Sequence, residues 1–543
     1  MRNTIAVAGN MIIDKIKLLR TFPARHELTG ILSVEESLGG AACNVGMDLA
    51  RLDPSLPVRV FGVAGADADG DKVLRAFGAF PNIDVSRVRR RGQSAFTDVL
   101  TEEQGRARTF LTFGGSNADF RETDVEADAL SDVKLFHIGY ILLLDALDAP
   151  DDEYGTKMAR LLHNVQAAGA LTSVDVVSEA GDRFQRLVPP ALKYTDYLIV
   201  NEIEAGKTAG LALRAPGGEI DEESVWKALR AIRRMGVSRW IVVHAPEGAW
   251  GLDENDREVF VRSAKLPQGY IQGTVGAGDA FCAGALLGAY GIWNMTAVRR
   301  TDEVLTTSKP VGNVCAALIT DAHLGGPVDA EKLIGVIDRA RKDGAELLLL
   351  GGDIVDENTT PGQLDLLCQL LKKRPFPMGI YYVFGNHDGA YGGVLEPEDV
   401  QGMLADAGVT VLNDEAVRAD AHFVVAGRKP AGDPERLSAR EILQNADPEK
   451  DFILMIDHQP ADLQACADAG VDLHVSGHTH NGQIWPMNLV ARLLRFNAVE
   501  YGRAAFGAMT AVVSSGVGGW KFTFRTAGHS EYVRITIHGA NKN

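Results

Sequence analysis

Apolar runs alternate with helical patterns along roughly the first 320 residues of the chain. Strand-like apolar runs lie at 4–8, 58–63, 135–138, 171–174, 197–200 and 240–243. Between them, apolar residues recur at helical spacing, as in 44–52, 71–80 and 223–235. Strands that alternate with helices predict a parallel sheet covered by helices on both faces, which binds its ligands at the carboxyl ends of the strands.

Residues 93–113 depart from this alternation. Apolar and polar residues alternate there on both sides of a turn at 102–105. Such a pattern predicts a β-hairpin. The hairpin is either a lid over a substrate or an edge hairpin of the sheet.

The pattern starts again after the middle of the chain, with a strand at 316–320, a helix at 329–342 and a strand at 346–350. A chain of 543 residues is too long for one ordinary core, so we expect two domains. We place them at residues 1–310 and 311–543, both of the α/β class.

Composition and charge exclude several classes of protein. The formal net charge is −17, and the chain has no long basic run, which argues against nucleic acid as a partner. The five scattered cysteines show no CxxC spacing and predict reduced thiols. The N-terminal sequence lacks the layout of a signal peptide, and no apolar run approaches the ~20 residues of a membrane span. We therefore expect a cytoplasmic protein.

The most specific motif of the first half is GTVGAGDAF at 273–281. Its three glycines precede Asp279, which opens an apolar helix. Backbone N–H groups at such a helix start bind anions, and an aspartate among them can take the proton from a hydroxyl that attacks a phosphoryl group. The structural alternative is a glycine turn with a capping aspartate.

Three weaker motifs each have a structural alternative. Asp14 follows the first strand, where it either binds a polyol or caps a turn. The glycine pair in LGGAACN (38–44) either approaches a ligand or simply precedes a helix. Asn201 and Glu204 follow the strand at 197–200, where they either hold hydrated Mg²⁺ or begin a helix.

Residues 1 to about 320 resemble the ribokinase (PfkB-type) family of sugar and nucleoside kinases. The resemblance rests on GNMIID, LGGAACNVG, VNEIEAGK, GTVGAGDAF and GNVCAAL, which occur in the order of that family. It implies a ribokinase-like parallel-sheet α/β domain with a small β lid, ATP and Mg²⁺ as cofactors, and a sugar or nucleoside as substrate. The family often carries Thr-x-Gly where this chain has Val243 and Ala245, and Ile12 replaces a polar residue of ribokinases proper.

The same resemblance implies a role for each motif residue. Asp279 is the base, and Gly276, Ala277 and Gly278 form the anion hole. Asn201 and Glu204 organise Mg²⁺ and phosphate. The remaining expected contacts are Asp14, Gly39, Gly40 and Asn44 with the acceptor, and Gly248 and Asn313 with the nucleotide.

The second half carries metal-ligand residue types after successive apolar runs, in the motifs DAH (321–323), GGD (351–353), GNHD (385–388), DH (457–458) and GHTH (477–480). Aspartate, asparagine and histidine suit Mn²⁺, Fe or Zn²⁺. A carboxylate placed like Asp353 can bridge two ions about 3.5–4 Å apart, the arrangement used for in-line phosphoryl displacement. Any one of these motifs alone could be structural.

From about residue 314 onward the chain resembles the calcineurin-like metallophosphoesterases, which implies an α/β two-sheet sandwich and two divalent transition metals. The implied ligands are Asp321, His323, Asp353 and His480 for one ion, and Asp353, Asn386, His458 and His478 for the other. His387 would protonate the leaving oxygen or stabilise its charge, and Asp388 would orient His387. The substrate would be a phosphoester.

Residues 484–496 are apolar and carry Arg492 and Arg495. They predict either a peripheral contact with a membrane or lipid phosphate, or a buried helix beside the site. The sequence is also compatible with a homodimer.

The segment 312–326 has two incompatible interpretations. GNVCAAL resembles a late kinase helix, whereas ALITDAH resembles the first phosphoesterase strand. We assign residues from about 314 onward to the phosphoesterase, because its ligand set needs Asp321 and His323. The sequence thus predicts a bifunctional kinase and phosphoesterase. The alternative is a phosphoesterase whose catalytically weak kinase-like domain binds sugar or nucleotide as a regulatory module.

Overall fold

The computed structural model describes residues 2–103, 108–179, 181–267, 270, 276–388 and 395–541. The chain forms two compact units, Met1–Leu287 and Gly288–Asn543. Within the described residues, no helix combines the length and apolar content needed to cross a bilayer.

The first unit contains the following strands: β1 (Thr4–Gly9), β2 (Ile12–Leu19), β3 (Ile31–Gly39), β4 (Val58–Ala64), β5 (Ile83–Asp84), β6 (Val88–Arg90), β7 (Ala95–Glu102), β8 (Arg108–Phe113), β9 (Val133–Ile141), β10 (Pro150–Asp151), β11 (Gly155–Thr156), β12 (Leu171–Val176), β13 (Tyr197–Asn201), β14 (Trp240–Ala245), β15 (Gly248–Leu252) and β16 (Glu258–Arg262). Its helices are α1 (Ala41–Leu52), α2 (Ala68–Phe77), α3 (Asp145–Asp148), α4 (Lys157–Ala167), α5 (Phe184–Leu192), α6 (Glu202–Ala209) and α7 (Glu222–Met235), followed by α8 (Ala277–Thr296).

A large sheet organises the first unit. Its strands follow the order β16-β15-β14-β13-β12-β9-β1-β4-β5, and the pairs from β14 to β5 are parallel. The central strands β1, β4, β9, β12 and β13 are almost entirely buried, whereas the edge strand β16 is exposed. One face of the sheet packs against α4, α5 and α7 in an apolar core. This is the parallel sheet that the alternating pattern predicts, because parallel strands need a crossover between neighbours.

The hairpin predicted at 93–113 forms as β7 and β8. It extends a separate four-stranded sheet in the order β3-β2-β7-β8. The expected small β lid is therefore present, although residues 104 and 105 of its predicted turn lie outside the described residues. Strand β2 leads out of the large sheet after β1, so it brings Asp14 into the lid next to β3.

The second unit contains the following strands: β17 (Arg299–Thr306), β18 (Asn313–Ile319), β19 (Leu347–Leu350), β20 (Ile380–Tyr382), β21 (Thr410–Val411), β22 (Glu415–Asp420), β23 (Phe423–Gly427), β24 (Phe452–Ile456), β25 (Leu473–Ser476), β26 (Gly502–Phe506), β27 (Met509–Val513) and β28 (Glu531–His538). Its further helices are α9 (Ala330–Lys342), α10 (Pro361–Leu371), α11 (Pro397–Asp406), α12 (Ala439–Ile442), α13 (Leu463–Asp468) and α14 (Met487–Leu494).

These strands form two six-stranded sheets, β17-β28-β18-β19-β20-β21 and β22-β23-β24-β25-β27-β26. Alternate residues of a strand face opposite sides. Leu347 and Leu349 accordingly join a core that also holds side chains of the other sheet, whereas Leu348 and Leu350 pack under α9 and α10. The expected two-sheet sandwich is present.

The structure decides the interpretation of 312–326. Residues Asn313–Ile319 form a strand that pairs with β19 and β28, so the kinase-helix interpretation of GNVCAAL is wrong for this chain. The residues that precede this strand form β17 (Arg299–Thr306), which pairs with β28 along its whole length. For this reason the second unit begins at Gly288, inside α8, whereas we predicted a boundary at 310/311.

The buried-helix alternative for 484–496 is also wrong. Helix α14 occupies this region, and Ala491 is its only buried residue. A short apolar segment is compatible with either a core or a surface position, so its sequence did not decide between them.

Candidate active sites

The predicted metal ligands meet where parallel strands of both sheets end. Asp321 follows β18, Asp353 follows β19, His458 follows β24 and His478 follows β25. Two groups form, and within each group one ligand atom per residue lies within 4.8 Å of the others. The groups are Asp321, His323 and His480, and Asp353, His458 and His478.

The backbone around these ligands is strained. Asp321, His323, Asp353 and His480 have φ values of 55°, 46°, 50° and 49°. A residue with a Cβ pays about 1–2 kcal/mol for this left-handed conformation, which persists where the surrounding structure enforces it. Such clusters of strain are typical of functional sites, and here they aim several ligands at one place.

The donor set fits a divalent cation. His458 Nε2 and Asp353 Oδ2 are buried and 3.0 Å apart, yet the nitrogen has no hydrogen bond of acceptable geometry with any described residue. The other ring nitrogen, Nδ1, lies 3.0 Å from the carbonyl oxygen of Gly351, which leaves Nε2 free to bind a metal. Two buried ligand atoms that converge without a hydrogen bond are the geometry expected around an ion.

The charges of this site support the same conclusion. Burial opposes protonation of His458, but the negative charge of Asp353 prevails and raises the pKa of the imidazole to about 10. Burial raises the pKa of Asp321 to about 6. The buried carboxylates of this site therefore stabilise a nearby positive charge. A divalent cation would supply that charge.

Asp388 does not orient His387 as predicted. Its carboxylate accepts hydrogen bonds from the backbone N–H groups of Asp353 (2.7 Å), Gly385 (2.6 Å) and Val355 (2.9 Å). It therefore ties together the loops that carry the ligands. His387 Nδ1 instead lies 3.4 Å from Glu357 Oε2.

Asn386 and His387 sit on a turn that reaches Asp353. The backbone N–H of His387 donates to Asp353 Oδ1 at 2.7 Å. The Asn386 side-chain oxygen accepts from Gln459 Nε2 at 3.3 Å. The roles of Asn386 as ligand and of His387 as acid remain predictions.

Three further residues contribute to this site without any signal that we recognised in the sequence. Asp356 Oδ2 lies 3.4 Å from His323 Nδ1. The ring of Trp520 lies 5.0 Å from that of His387. Buried Arg525 donates from Nη1 to the carbonyl oxygen of His480 at 2.7 Å. The spacing GGDIVD could have indicated Asp356, since metal-bound histidines usually have a carboxylate or carbonyl partner.

In the first unit, Asp279 lies in the first turn of α8 and is held on both sides. Its Oδ1 accepts from the Tyr140 hydroxyl at 2.6 Å, and its Oδ2 accepts from Asn44 Nδ2 at 2.8 Å. Burial raises the pKa of the Asp279 carboxyl above its usual range. A carboxylate with a raised pKa is a better proton acceptor near neutral pH. Tyr140 was not among the predicted residues.

The residues predicted to bind the phosphoryl acceptor lie near Asp279. Burial, followed by the charge of Asp279, raises the pKa of Asp14 to about 6. A Cβ atom on Gly39 would lie 2.4 Å from Asp14 Oδ2, and one on Gly40 would lie 2.4 Å from the carbonyl oxygen of Asn10. Glycine is therefore required at Gly40, where the obstacle is backbone and φ is 89°, whereas a side chain at Gly39 would displace the Asp14 carboxylate.

Asn201 and Glu204 form a capping box at the start of α6. The Asn201 side chain accepts from the Glu204 N–H at 2.9 Å, and Glu204 accepts from the Asn201 N–H at 3.0 Å and from the Ser178 hydroxyl at 2.8 Å. Both residues thus begin a helix, as the structural alternative predicted. Their role in binding Mg²⁺ stays a prediction. Buried Asp175, which we had not predicted, is influenced electrostatically by both Glu204 and Asp279.

The remaining predicted kinase residues differ in their surroundings. Gly276 has a φ of 76° directly before α8, followed by Ala277 and Gly278, while residues 273–275 lie outside the described residues. Gly248 packs in β15, where a Cβ would lie 2.6 Å from the Phe260 ring. Asn313 lies at the start of β18 in the second unit, with its Oδ1 atom 2.9 Å from His538 Nδ1.

Two family models match the chain. The model of the pfkB family of carbohydrate kinases matches residues 2–326, and that of the calcineurin-like phosphoesterases matches residues 316–482. The two matches overlap at 316–326, the segment that the structure assigns to the second unit through β18.

Relatives of the second half are metallophosphoesterases. A protein of Aquifex aeolicus, described as an uncharacterized metallophosphoesterase, is 31% identical over 263 residues, which are 47% of this chain and 97% of the relative. A protein of Helicobacter pylori with the same description is 29% identical over 40% of this chain, which spans 58% of that relative.

Solved structures similar to this chain include ribokinases. The ribokinase of Arabidopsis thaliana complexed with ribose and ATP is 18% identical, with a TM-score of 0.44 over 53% of this chain and 86% of that one. The ribokinase of Giardia lamblia is 16% identical, with a TM-score of 0.45 over 54% of this chain and 84% of that one.

Proposed function

Because the chain belongs both to the pfkB family of carbohydrate kinases and to the calcineurin-like metallophosphoesterases, we propose that it is a bifunctional enzyme. The first half transfers a phosphoryl group from ATP to a sugar-like alcohol. The second half hydrolyses a phosphoester with the help of two divalent metal ions.

The observation that carries this proposal is that the two sets of candidate catalytic residues lie in separate units. Asp279, Asn44 and Tyr140 lie in the first unit, and both groups of metal-ligand residues lie in the second. Each arrangement is built from residues of its own unit, so the two reactions do not compete for a group.

In the kinase reaction, the acceptor hydroxyl gives its proton to the Asp279 carboxylate while its oxygen attacks the γ-phosphorus of ATP, and ADP leaves. Burial of Asp279 favours this proton transfer because it raises the carboxyl pKa. Asp14 and Asn44 orient the acceptor. Backbone N–H groups at the start of α8 stabilise charge on the transferred phosphoryl group. Glu204, whose carboxylate accepts from the Asn201 N–H and the Ser178 hydroxyl, would help to hold Mg²⁺, which would neutralise charge on the phosphates.

In the phosphoesterase reaction, two bound divalent cations supply Lewis-acid activation of the phosphoester and of water. Asp321, His323 and His480 would hold one cation, and Asp353, His458 and His478 would hold the other. His387 donates a proton to the leaving oxygen, and Glu357, whose Oε2 lies 3.4 Å from the His387 Nδ1, positions the ring. Burial of the ligands excludes bulk water and strengthens these interactions.

The test is a paired screen on the full chain. One arm offers a panel of sugars and nucleosides with ATP and Mg²⁺, and the other offers model phosphomonoesters and phosphodiesters with Mn²⁺. Asp279→Asn and His458→Gln serve as opposite controls, each expected to remove one activity. Absence of turnover in an arm, with metal and nucleotide bound, would contradict that half of the proposal.

A second candidate function is favoured by the hydrogen bonds of Asp279. Both of its oxygens already have donors, Tyr140 and Asn44. If Tyr140 and Asn44 stay bonded to Asp279 when the alcohol substrate binds, Asp279 cannot accept the proton of the substrate hydroxyl. The first unit is then a sugar or nucleotide sensor that regulates the phosphoesterase. Isothermal titration separates the two candidates: binding of ATP and sugar without phosphorylation would favour the sensor.

A further inference from the structure

The segment around the last metal ligands differs in charge from the rest of this acidic chain. From Leu473 to Ser530 the sequence contains one acidic residue, Glu500, whereas the chain as a whole carries a formal charge of −17. The same segment contains five cationic residues: Arg492, Arg495, Arg503, Lys521 and Arg525. A local excess of positive charge on an acidic protein favours an anionic partner.

Large apolar side chains are exposed in the middle of this segment. Leu489, Leu493, Leu494 and Phe496 are 57%, 79%, 60% and 63% exposed. All residues from 492 to 496 are exposed, so Arg492 and Arg495 lie among the leucines rather than behind them. We call these six residues the basic apolar rim. Contiguous exposed apolar residues on one helix indicate an interaction surface.

The segment that leads from His480 to the basic apolar rim is bonded to a loop beside the phosphoesterase site. Buried Gln483, three residues beyond His480, accepts from the backbone N–H of Trp520 at 3.0 Å and donates to the carbonyl oxygen of Phe522 at 2.9 Å. The Trp485 N–H donates to Thr526 Oγ1 at 3.0 Å. These bonds fix the exposed Phe522 and Lys521 on the loop whose Trp520 contacts His387.

Arginine side chains of the rim also line a depression. Arg492 and Arg495 border a cavity of about 560 Å³ together with Asn497, Glu500 and Tyr501. The Glu500 carboxylate accepts hydrogen bonds from the N–H and the side-chain amide of Asn497. Two guanidinium groups at a cavity beside exposed leucines suit a phosphate headgroup whose acyl chains meet the leucines.

We propose that the basic apolar rim docks on an anionic lipid bilayer, so that the phosphoesterase site faces phosphoesters at the membrane surface. Leucine and phenylalanine insert at the acyl boundary while arginines contact anionic headgroups, as in interfacial helices. A second copy of the chain fits this surface less well, because a two-fold interface would bring the same cations face to face. The proposal rests on the phosphoesterase half of the proposed function.

The test measures binding of the full chain to vesicles by co-sedimentation. Phosphatidylcholine vesicles are compared with vesicles that also contain phosphatidylglycerol, at low and high salt. We expect at least about tenfold stronger binding to the anionic vesicles, weakened by salt, since each cation near such a surface contributes to attraction. Hydrolysis of a water-soluble phosphodiester with Mn²⁺ is followed in parallel.

Two variants and two controls locate the surface. Leu493→Ser with Leu494→Ser removes the apolar contact, and Arg495→Asn removes a charge while tolerating the left-handed φ of 53° at this position. The two leucine substitutions together should weaken anionic-vesicle binding about tenfold or more, and Arg495→Asn should weaken it about fivefold. Leu28→Ser, at a residue 96% exposed in the other unit, and Arg257→Asn should not change it.

The outcomes separate this inference from the proposed function. Docking is supported if the rim variants lose vesicle binding and the control variants keep it. If the parent chain binds vesicles but does not hydrolyse the phosphodiester, docking still stands and the proposed phosphoesterase function fails. The docking proposal is overturned by absence of anionic binding in the parent chain or by rim variants that bind normally. A dimer that disappears with the leucine substitutions would also overturn it and identify a second copy as the occupant.

Discussion

Replacing Arg525 with methionine should weaken both the fold of the second unit and its affinity for divalent metal. The Arg525 side chain is fully buried. Its guanidinium donates to the carbonyl oxygens of His480 (2.7 Å), Ser515 (2.9 Å) and Gly518 (2.7 Å). One side chain therefore joins the loop of a metal ligand to the loop that precedes Trp520.

The expected magnitude follows from these contacts. Methionine fills much of the same volume but offers no donor, so three carbonyl groups lose a partner, at about 1–3 kcal/mol each. Removing the buried cation recovers several kcal/mol of desolvation. That desolvation also lowers the pKa of Arg525 to about 10. We expect a net loss of about 3 kcal/mol in the free energy of unfolding, and about 10- to 100-fold weaker metal binding because His480 is no longer held.

The assay is urea unfolding of the full chain with and without Mn²⁺, since the transition that moves with the metal reports the metal-binding unit. Isothermal titration gives the Mn²⁺ affinity. Arg503→Met is the matched control: Arg503 is half exposed and donates to one carbonyl oxygen, that of Val304, so its loss should cost under about 0.5 kcal/mol. A change below about 1 kcal/mol in Arg525→Met with unchanged Mn²⁺ affinity would refute the reasoning.

Three further predictions test the two sites. Asp279→Asn should lower the kcat of ATP-dependent phosphorylation at least about 100-fold and leave phosphodiester hydrolysis intact; loss of both activities would contradict separate sites. Because burial and Asp279 raise the pKa of Asp14 to about 6, Asp14 loses its charge as the pH falls through that value. The acceptor KM should then rise, whereas in Asp14→Asn it should stay constant; a KM of the parent chain that does not change between about pH 5 and 8 would argue against this role. Chelation with EDTA should destabilise the second unit by about 2.7 kcal/mol relative to Mn²⁺ at 100 times its Kd, and an unchanged unfolding midpoint would count against the metal site.

Both sites were predictable in outline because their chemistry lies in short local motifs. Three of the six residues before Asp279 are glycines, and Asp321, Asp353 and His458 each follow an apolar run. Strand ends of a parallel sheet meet at one edge, so such residues converge whatever the details of packing. The supporting contacts were not predictable. Asp388 bonds to backbone groups of a neighbouring loop, and Tyr140 reaches Asp279 from a strand far away in the sequence.

Two α/β domains, the family that each resembles, and the residue types that follow each strand could all be predicted from the chain. These properties depend on local patterns of apolar residues and on motif spacing. The boundary between the two units could not be predicted, because it depends on long-range strand pairing. GNVCAAL is compatible with a helix or a buried strand, and the choice was made by β28, whose residues Val533 to His538 pair with Asn313–Leu318 from more than 200 positions away. The exposure of α14 was decided in the same way, because whether an apolar segment is buried depends on what packs against it.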